Sequence, residues 1–365
     1  MTGLKELLEA RTARICVVGL GYVGLPMALA MSEVGFTVYG FDTSQARIED
    51  LASGNSYISD VTNEELQGFV SAGTFKPTCD PEAIAECDVV VICVPTPLRK
   101  SKDPDLRAII SATNTVSAHL HSGQLIVLES TTYPGTTEEV LLPKLAESGL
   151  EIGKDFYLAF SPERIDPGNT KFSIRTITKV VGGVTPACTE VATQFYQQFI
   201  DNVVSVSNPR IAEASKLLEN TFRSVNIGLA NEMALICDKL GINVWEVIDA
   251  AATKPFGFMA HYPGPGIGGH CIPLDPHYLS WKARLSGYEP KFISLATEIN
   301  SSMPHHVIDI VNRALNDDTK SVRGSKVLVL GVAYKPNVGD YRESPGLEVI
   351  HMLQERGACV SYSDP

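Results

Sequence analysis

The apolar run RICVVG at 14–19 leads straight into Gly19-Leu20-Gly21-Tyr22-Val23-Gly24, and this junction constrains the fold more than any other feature of the chain. A buried strand that ends in glycines and opens into a helix starts a βαβ unit. The glycines permit the tight turn, the close approach of main chain to a ligand and the packing of helix on strand. Tyr22–Val34 is compatible with that helix, and Phe36–Phe41 reads as the next strand, ending at Asp42. Further apolar runs follow at 88–94 (DVVVICV) and 124–129 (QLIVLE), with helical stretches near 104–119 and 136–147 and candidate strands at 156–160 and 179–182. Runs without alternation belong to strands covered on both faces. The expected fold class is therefore α/β, with a Rossmann-type doubly wound domain over 1–208.

The same turn predicts a ligand. A helix N-terminus with glycine amides favours a pyrophosphate, and an acid at the end of the second strand holds the adenosine ribose hydroxyls. Asp42 follows Gly24 by 18 residues, so Gly19, Gly21, Tyr22, Val23, Gly24 and Asp42 are predicted to bind a dinucleotide. The Asp42 charge repels a 2′-phosphate, which favours NAD; Arg47 nearby leaves NADP open. Thr96, in Pro95-Thr96-Pro97 at the carboxyl end of the 88–94 strand, is either a cofactor contact or part of a structural loop.

From Pro209 the pattern turns helical to about Leu240, pauses in a Gly/Pro-dense loop at 255–276, and resumes over 289–315. This predicts an all-helical central domain at 209–318. SKVLVLGVAYKP (325–336) opens a strand, Ser344-Pro345 starts a helix and Ala358–Tyr362 forms a following strand. A second α/β domain is thus expected over 319–365, reading as the opening βαβ unit of a larger, incomplete one.

Composition sets the partners. With 44% apolar residues in 365, the chain can bury several cores. With 30 Lys+Arg against 42 Asp+Glu its net charge is −12, which opposes nucleic acid and anionic lipid, so neither is expected as a partner. No apolar stretch has the length of a membrane span or the form of a signal h-region, and a cytoplasmic location is predicted. Eight cysteines without a C-x-x-C pair read as thiols, most of them small buried hydrophobes.

Two segments carry chemistry. YPGPGIGGHCIPLDPHY at 262–278 is so rich in Gly and Pro that main-chain geometry must govern it, and such a loop can present Cys271 as a nucleophile, with Asp275 as base or water-holder. Two other readings stay open: Cys271 as a buried structural thiol, and His270, Cys271, Asp275 and His277 as metal ligands, although their spacing matches no common zinc pattern and no metal is assigned. On the long helix Lys216, Asn220 and Arg223 make one polar stripe among Leu217, Leu218 and Phe222. That stripe is either a solvated face or the lining of a ligand cleft between domains, where Lys216 stabilises an oxyanion.

Together GLGYVGLP (19–26), ESTTYPGTT (129–137), SPER (161–164), EASKLLENTFR (213–223), PGPGIGGHCIPLDP (263–276) and GVAYKPNVGDYRESP (331–345) resemble the UDP-sugar 6-dehydrogenases in order and spacing. The resemblance implies oxidation of C6 of a UDP-sugar from alcohol to carboxylate with two NAD⁺. The loop with His270 before the cysteine looks most like the branch acting on UDP-N-acetylhexosamines, UDP-GlcNAc first, with UDP-ManNAc, UDP-GalNAc and UDP-glucose as alternatives. The UDP-glucose branch usually carries a Lys where this chain has Leu274.

The resemblance also implies roles. Lys216 or a water held by Asp275 takes the hydroxyl proton, Cys271 forms the thiohemiacetal and thioester, and Lys216 and Asn220 stabilise the oxyanion. Glu163 and Asp275 activate the hydrolytic water, which Thr131 holds close to the cofactor. Glu163, Arg164, Lys216, Asn220, Phe256, Tyr262, Gly264, Gly268 and Lys335 are the implied substrate contacts, and Arg342 a cofactor contact. A homodimer through the long helix and a role in surface polysaccharide synthesis are implied as well. A two-electron hydroxyacid dehydrogenase, which gives Cys271 no role, and a non-catalytic NAD-binding subunit are the competing readings.

Overall fold

Among the described residues, the uninterrupted apolar runs become the central strands of an eight-stranded sheet. A computed structural model describes residues 3–58, 60–99, 101–165, 172–336 and 339–365. The chain forms two compact units, Met1–Lys216 and Leu217–Pro365.

The first unit runs α1 (Leu4–Glu9), β1 (Arg14–Val18), α2 (Gly24–Glu33), β2 (Thr37–Phe41), α3 (Gln45–Ala52), α4 (Asn63–Ala72), β3 (Phe75–Thr78), β4 (Val89–Ile92), α5 (Arg107–Ala118), β5 (Leu125–Leu128), α6 (Leu142–Ala146), β6 (Tyr157–Phe160), β7 (Lys179–Gly183), α7 (Pro186–Tyr196), β8 (Val203–Val206) and the start of α8 (Pro209–Leu240). The strand order is β3-β2-β1-β4-β5-β6-β7-β8. Pairing is parallel except between β6 and β7, which are antiparallel. The order reverses at β1, where such sheets bind ligands beyond the carboxyl ends of the strands.

Alternate residues of β1 serve opposite layers. Ile15 and Val17 pack with Leu25 and Phe36 on one face, Cys16 and Val18 with Ile109 and Phe160 on the other. Each such side chain contributes about 1.5–3 kcal/mol of burial, and this double coverage is what the non-alternating runs required.

Some boundaries differ from the sequence reading. Helix α2 begins at Gly24 rather than Tyr22, because residues 21–23 form the turn. Strands β3 and β8 carry little signal in the sequence because both are sheet edges: β3 contains Pro77, tolerated where no ladder partner is needed, and β8 is half exposed. The loop predicted over 255–276 loses its last two residues to a helix.

The second unit continues α8 and adds α9 (Val244–Ala252), α10 (Asp275–Leu285), α11 (Lys291–Asp317), β9 (Lys326–Leu330), α12 (Pro345–Glu355) and β10 (Cys359–Ser363). The limits of α8 are those of the apolar periodicity. β9 and β10 pair in parallel, and Val327, Val329 and Val360 pack with Ile308, Val322, Val349 and Leu353 into a small core. Ser344 caps α12, accepting from Gly346 N at 3.2 Å, with Pro345 at the first helical position. Five cysteines are buried and Cys79 is half-buried, as their dispersal implied; Cys271 and Cys359 are exposed. Among the described residues no helix is long and apolar enough to cross a membrane.

Candidate active site

The turn after β1 has room for no side chain at two of its glycines. A Cβ on Gly24 would stand 1.9 Å from the Gly19 carbonyl oxygen, and one on Gly19, at φ +93°, 2.7 Å from that of Cys93. At Gly21 the space is open, and no side chain caps α2, so its first-turn amides suit a pyrophosphate. Asp42 is buried at the end of β2. Its Oδ2 accepts from Leu20 N at 3.1 Å and its Oδ1 from Ser44 N at 2.9 Å, with Arg47 Nη1 3.3 Å from Oδ2. Arg47 is thus held on Asp42, and its guanidinium also lies over the Tyr57 ring, 5.6 Å from the centroid. Tyr57, unmarked in the sequence, donates to Leu20 O at 2.5 Å; burial, then Asp42, pushes its hydroxyl up to about 12, so it remains a donor. Tyr22 is exposed, Val23 packs against the core and Thr96 is half-buried. This cradle and its acid fit NAD.

Past β5, Thr131 is half-buried. Glu163, which as a lone carboxylate would be expected on the surface, is buried: its Oε1 accepts from Arg164 N at 2.6 Å and from Ile165 N, and its Oε2 lies 3.6 Å from Lys179 Nζ. The Arg164 guanidinium donates to Thr178 O at 2.7 Å. Sequence reasoning gave Glu213 no role. Fully buried on α8, it accepts from Gly135 N at 2.5 Å, Thr137 N at 2.9 Å and Thr137 Oγ1 at 2.7 Å, so it ties the ESTTYPGTT loop to the helix turn bearing Lys216. Burial pushes its carboxyl up to about 7, against those three donors. Lys216 is itself buried.

In the second unit Asn220 Nδ2 donates to Asp275 Oδ2 at 2.5 Å, both residues buried. The stripe on α8 therefore divides: Lys216 and Asn220 are inside, Arg223 is outside, and the apolar Leu218 and Phe222 are exposed with it. Asp275 N and Leu274 N both donate to Cys271 O, at 2.9 and 3.2 Å, a turn that leaves Cys271 exposed one turn before α10. The loop is tied down at its other end by Gly264 N donating to Asn231 Oδ1 (2.9 Å), Asn231 to Asn300 Oδ1 (2.8 Å) and Asn300 to Ser224 O (3.1 Å). Gly268 and Gly269 press against Tyr334: a Cβ would lie 2.6 Å from Tyr334 Cβ or 2.7 Å from its ring.

Tyr262 is engaged within the unit, donating to Asp249 at 2.8 Å and stacking on Trp245, whereas Phe256 is 72% exposed with Lys254 over its ring. Lys335 is half-buried. Arg342 forks onto Asp340 with Nε at 2.9 and 3.1 Å and Nη2 at 2.6 Å, holding that carboxyl below its usual range. Asn337 and Val338 of the last motif lie outside the described residues.

A glycine cradle closed by an acid on a doubly wound sheet, followed by a helical unit presenting a cysteine, defines an NAD-dependent dehydrogenase. The chain belongs to the UDP-glucose/GDP-mannose dehydrogenase family: residues 13–200 match its NAD binding domain, 210–302 its central domain and 328–365 its UDP binding domain. It is accordingly an enzyme that oxidises the 6-hydroxyl of a UDP-sugar with NAD. It is 39% identical over 354 residues to UDP-N-acetyl-D-glucosamine 6-dehydrogenase of Salmonella typhi, covering 96% of this chain and 82% of that protein. To UDP-N-acetyl-D-mannosamine dehydrogenase of Methanococcus maripaludis it is 37% identical over 357 residues, covering 96% and 79%. The solved UDP-D-ManNAc dehydrogenase of Pyrococcus horikoshii superposes with a TM-score of 0.91 at 36% identity, covering 96% of this chain and 83% of that one.

Proposed function

We propose that this enzyme is a four-electron UDP-N-acetylhexosamine 6-dehydrogenase whose preferred substrate is UDP-GlcNAc, supplying a uronic acid nucleotide for surface polysaccharide. The observation that carries the four-electron reading is the exposed Cys271 on a loop whose Asp275 is bonded to Asn220, because a two-electron enzyme needs no thiol. The N-acetylhexosamine reading is supported by the loop sequence and by relatives named for GlcNAc and ManNAc substrates at 37–39% identity. The three-part division at 208 and 318 is retained as part of this reading.

Gly19, Gly21, Gly24 and Asp42 would hold NAD⁺, which would supply the hydride acceptor for each of the two oxidations. Lys216, or a water on Asp275, takes the C6 hydroxyl proton in the first. The Cys271 sulfur then adds to the aldehyde carbon, and Lys216 and Asn220 donate to the oxyanion of the thiohemiacetal. After the second oxidation leaves a thioester, Glu163 removes a proton from water held by Thr131; the water oxygen bonds to the carbonyl carbon, the C–S bond breaks and the thiolate departs. One alcohol, two NAD⁺ and one water give one carboxylate, two NADH and three protons.

With excess NAD⁺ and limiting UDP-GlcNAc, two NADH per sugar and the 6-carboxylate are expected. One NADH per sugar, or full turnover by Cys271→Ala, overturns the four-electron reading. Initial rates on UDP-GlcNAc, UDP-ManNAc, UDP-GalNAc and UDP-glucose test the substrate; a higher kcat/KM on any other than UDP-GlcNAc reassigns it.

The reading includes a cytoplasmic homodimer through α8. Ile211, Leu218, Phe222, Leu229, Ile236 and Leu240, exposed in the single chain, recur at intervals of seven and four residues, a spacing that forms one stripe along a helix. Leu229→Glu is expected to halve the mass seen in light scattering. An unchanged mass removes α8 as the interface.

A further inference from the structure

Among the described residues, four ionisable groups that the reaction above does not use are buried around Glu163. Glu129, after β5, is fully buried; its Oε2 accepts from Lys179 Nζ at 2.8 Å and its Oε1 from the Tyr196 hydroxyl. Lys179, at the start of β7, also lies over the Tyr196 ring, 5.3 Å from the centroid. Cys93, after β4, completes the set, its thiol pushed well up by burial and then by the charges of Glu129 and Glu163. One buried ammonium therefore faces two carboxylates. The carboxylates are held differently: Glu129 has a donor on each oxygen, whereas Glu163 has its amide donors on Oε1 and leaves Oε2 buried without a hydrogen bond among the described residues, 3.6 Å from Lys179 Nζ.

As a device for stability this is a poor arrangement, because desolvating three charges offsets what their attraction returns. It makes sense as a way of holding one carboxylate oxygen ready. We propose that Lys179 is a positioning residue for Glu163: its ammonium, 3.6 Å from Oε2, orients that oxygen to take the proton of the hydrolytic water, while Glu129, bonded to Lys179 and Tyr196, sets how much of that charge reaches Glu163. The proposal rests on the reading of Glu163 as the hydrolytic base. Among the described residues, the groups facing Glu163 are Lys179, Glu129 and Cys93, with Tyr196 behind Glu129 and the Arg164 guanidinium donating to Thr178 O.

The test follows thioester decay, by intact mass and by single-turnover acid release, across pH, in the wild type and in Lys179→Met, Lys179→Arg, Glu129→Gln and Glu163→Gln. Lys179→Met should still form NADH and the acylated enzyme, lose about tenfold or more in decay rate at neutral pH, and move the acid limb of the decay profile up by about one pH unit or more. Lys179→Arg should restore the limb. Glu129→Gln, which leaves Glu163 the whole Lys179 charge, should move it down. Limbs that stay put, or that move the same way in Lys179→Met and Glu129→Gln, overturn the proposal. If Lys179→Met does not fold, Glu129→Gln decides: a downward limb supports the proposal and a fixed one overturns it. Glu163→Gln separates the two readings, because unimpaired decay there refutes the base assignment whatever Lys179 does.

Discussion

Asn220, on α8, and Asp275, the first residue of α10, share a 2.5 Å hydrogen bond between buried side chains. The bond fixes the residue that follows Cys271 by one turn to the helix that carries Lys216, so the geometry of the cysteine loop depends on it.

Replacing Asn220 with Ala leaves the Asp275 carboxylate buried without this donor, a cost of about 1–3 kcal/mol. Asn220→Ala should melt earlier and lose about tenfold or more in kcat, with KM for the UDP-sugar less affected. Asn220→Asp, which sets two carboxylates together, should be worse. Wild-type kcat in Asn220→Ala would show that the bond plays no part in turnover.

Glu213 gives a pH signature. Its folded pKa of about 7 lies above the ordinary 4.5, so between those values the folded protein binds more protons than the unfolded chain, and stability falls as pH rises across that window. The effect amounts to roughly 3 kcal/mol, fully lost above pH 7. Glu213→Gln cannot titrate. Melting temperatures of the two proteins from pH 4.5 to 8 should converge or cross as pH rises, and parallel curves would contradict the assignment.

Asp42 accepts from Leu20 N and Ser44 N and holds Arg47. Asp42→Ala should raise KM for NAD⁺ about tenfold with a smaller change in kcat, since ribose contacts are made equally in ground and transition states. With Arg47 released, the ratio of NADP⁺ to NAD⁺ use should rise. A KM for NAD⁺ equal to the wild type would remove Asp42 from the cofactor site.

The glycines of the cysteine loop are not equivalent. Gly269 has φ +86° and faces the Tyr334 ring at 2.7 Å, whereas a Cβ on Gly264 would find its nearest neighbour at 3.7 Å. Gly269→Ala is therefore expected to cost 1–3 kcal/mol and much of the activity, and Gly264→Ala to cost under about 1 kcal/mol. Denaturation midpoints for both proteins check the order, and equal values would refute it.

Local pattern carried far in this chain. The strand, turn and helix at 14–33 were legible because glycine requirement, strand burial and helix start are each set within a few residues, and α8 was legible to its ends because nothing but apolar spacing and the lack of breakers was needed. The cysteine loop announced itself by composition. Edge strands β3 and β8 did not, since an edge demands neither continuous apolarity nor a full set of amides.

The ionic interior was decided elsewhere. Glu129, Lys179 and Tyr196 meet across 50 and 67 residues of chain, and Glu213 reaches Gly135 across 78. Each taken alone reads as an ordinary polar residue at the end of a strand or on a helix. Sequence by itself determined the buried central strands, the glycine turn after β1 and the long helix α8, because those follow from side-chain type and short-range spacing. Tertiary structure decided which carboxylates are buried and which cation each one shares, because desolvation and ion pairing depend on what the sheet order brings together.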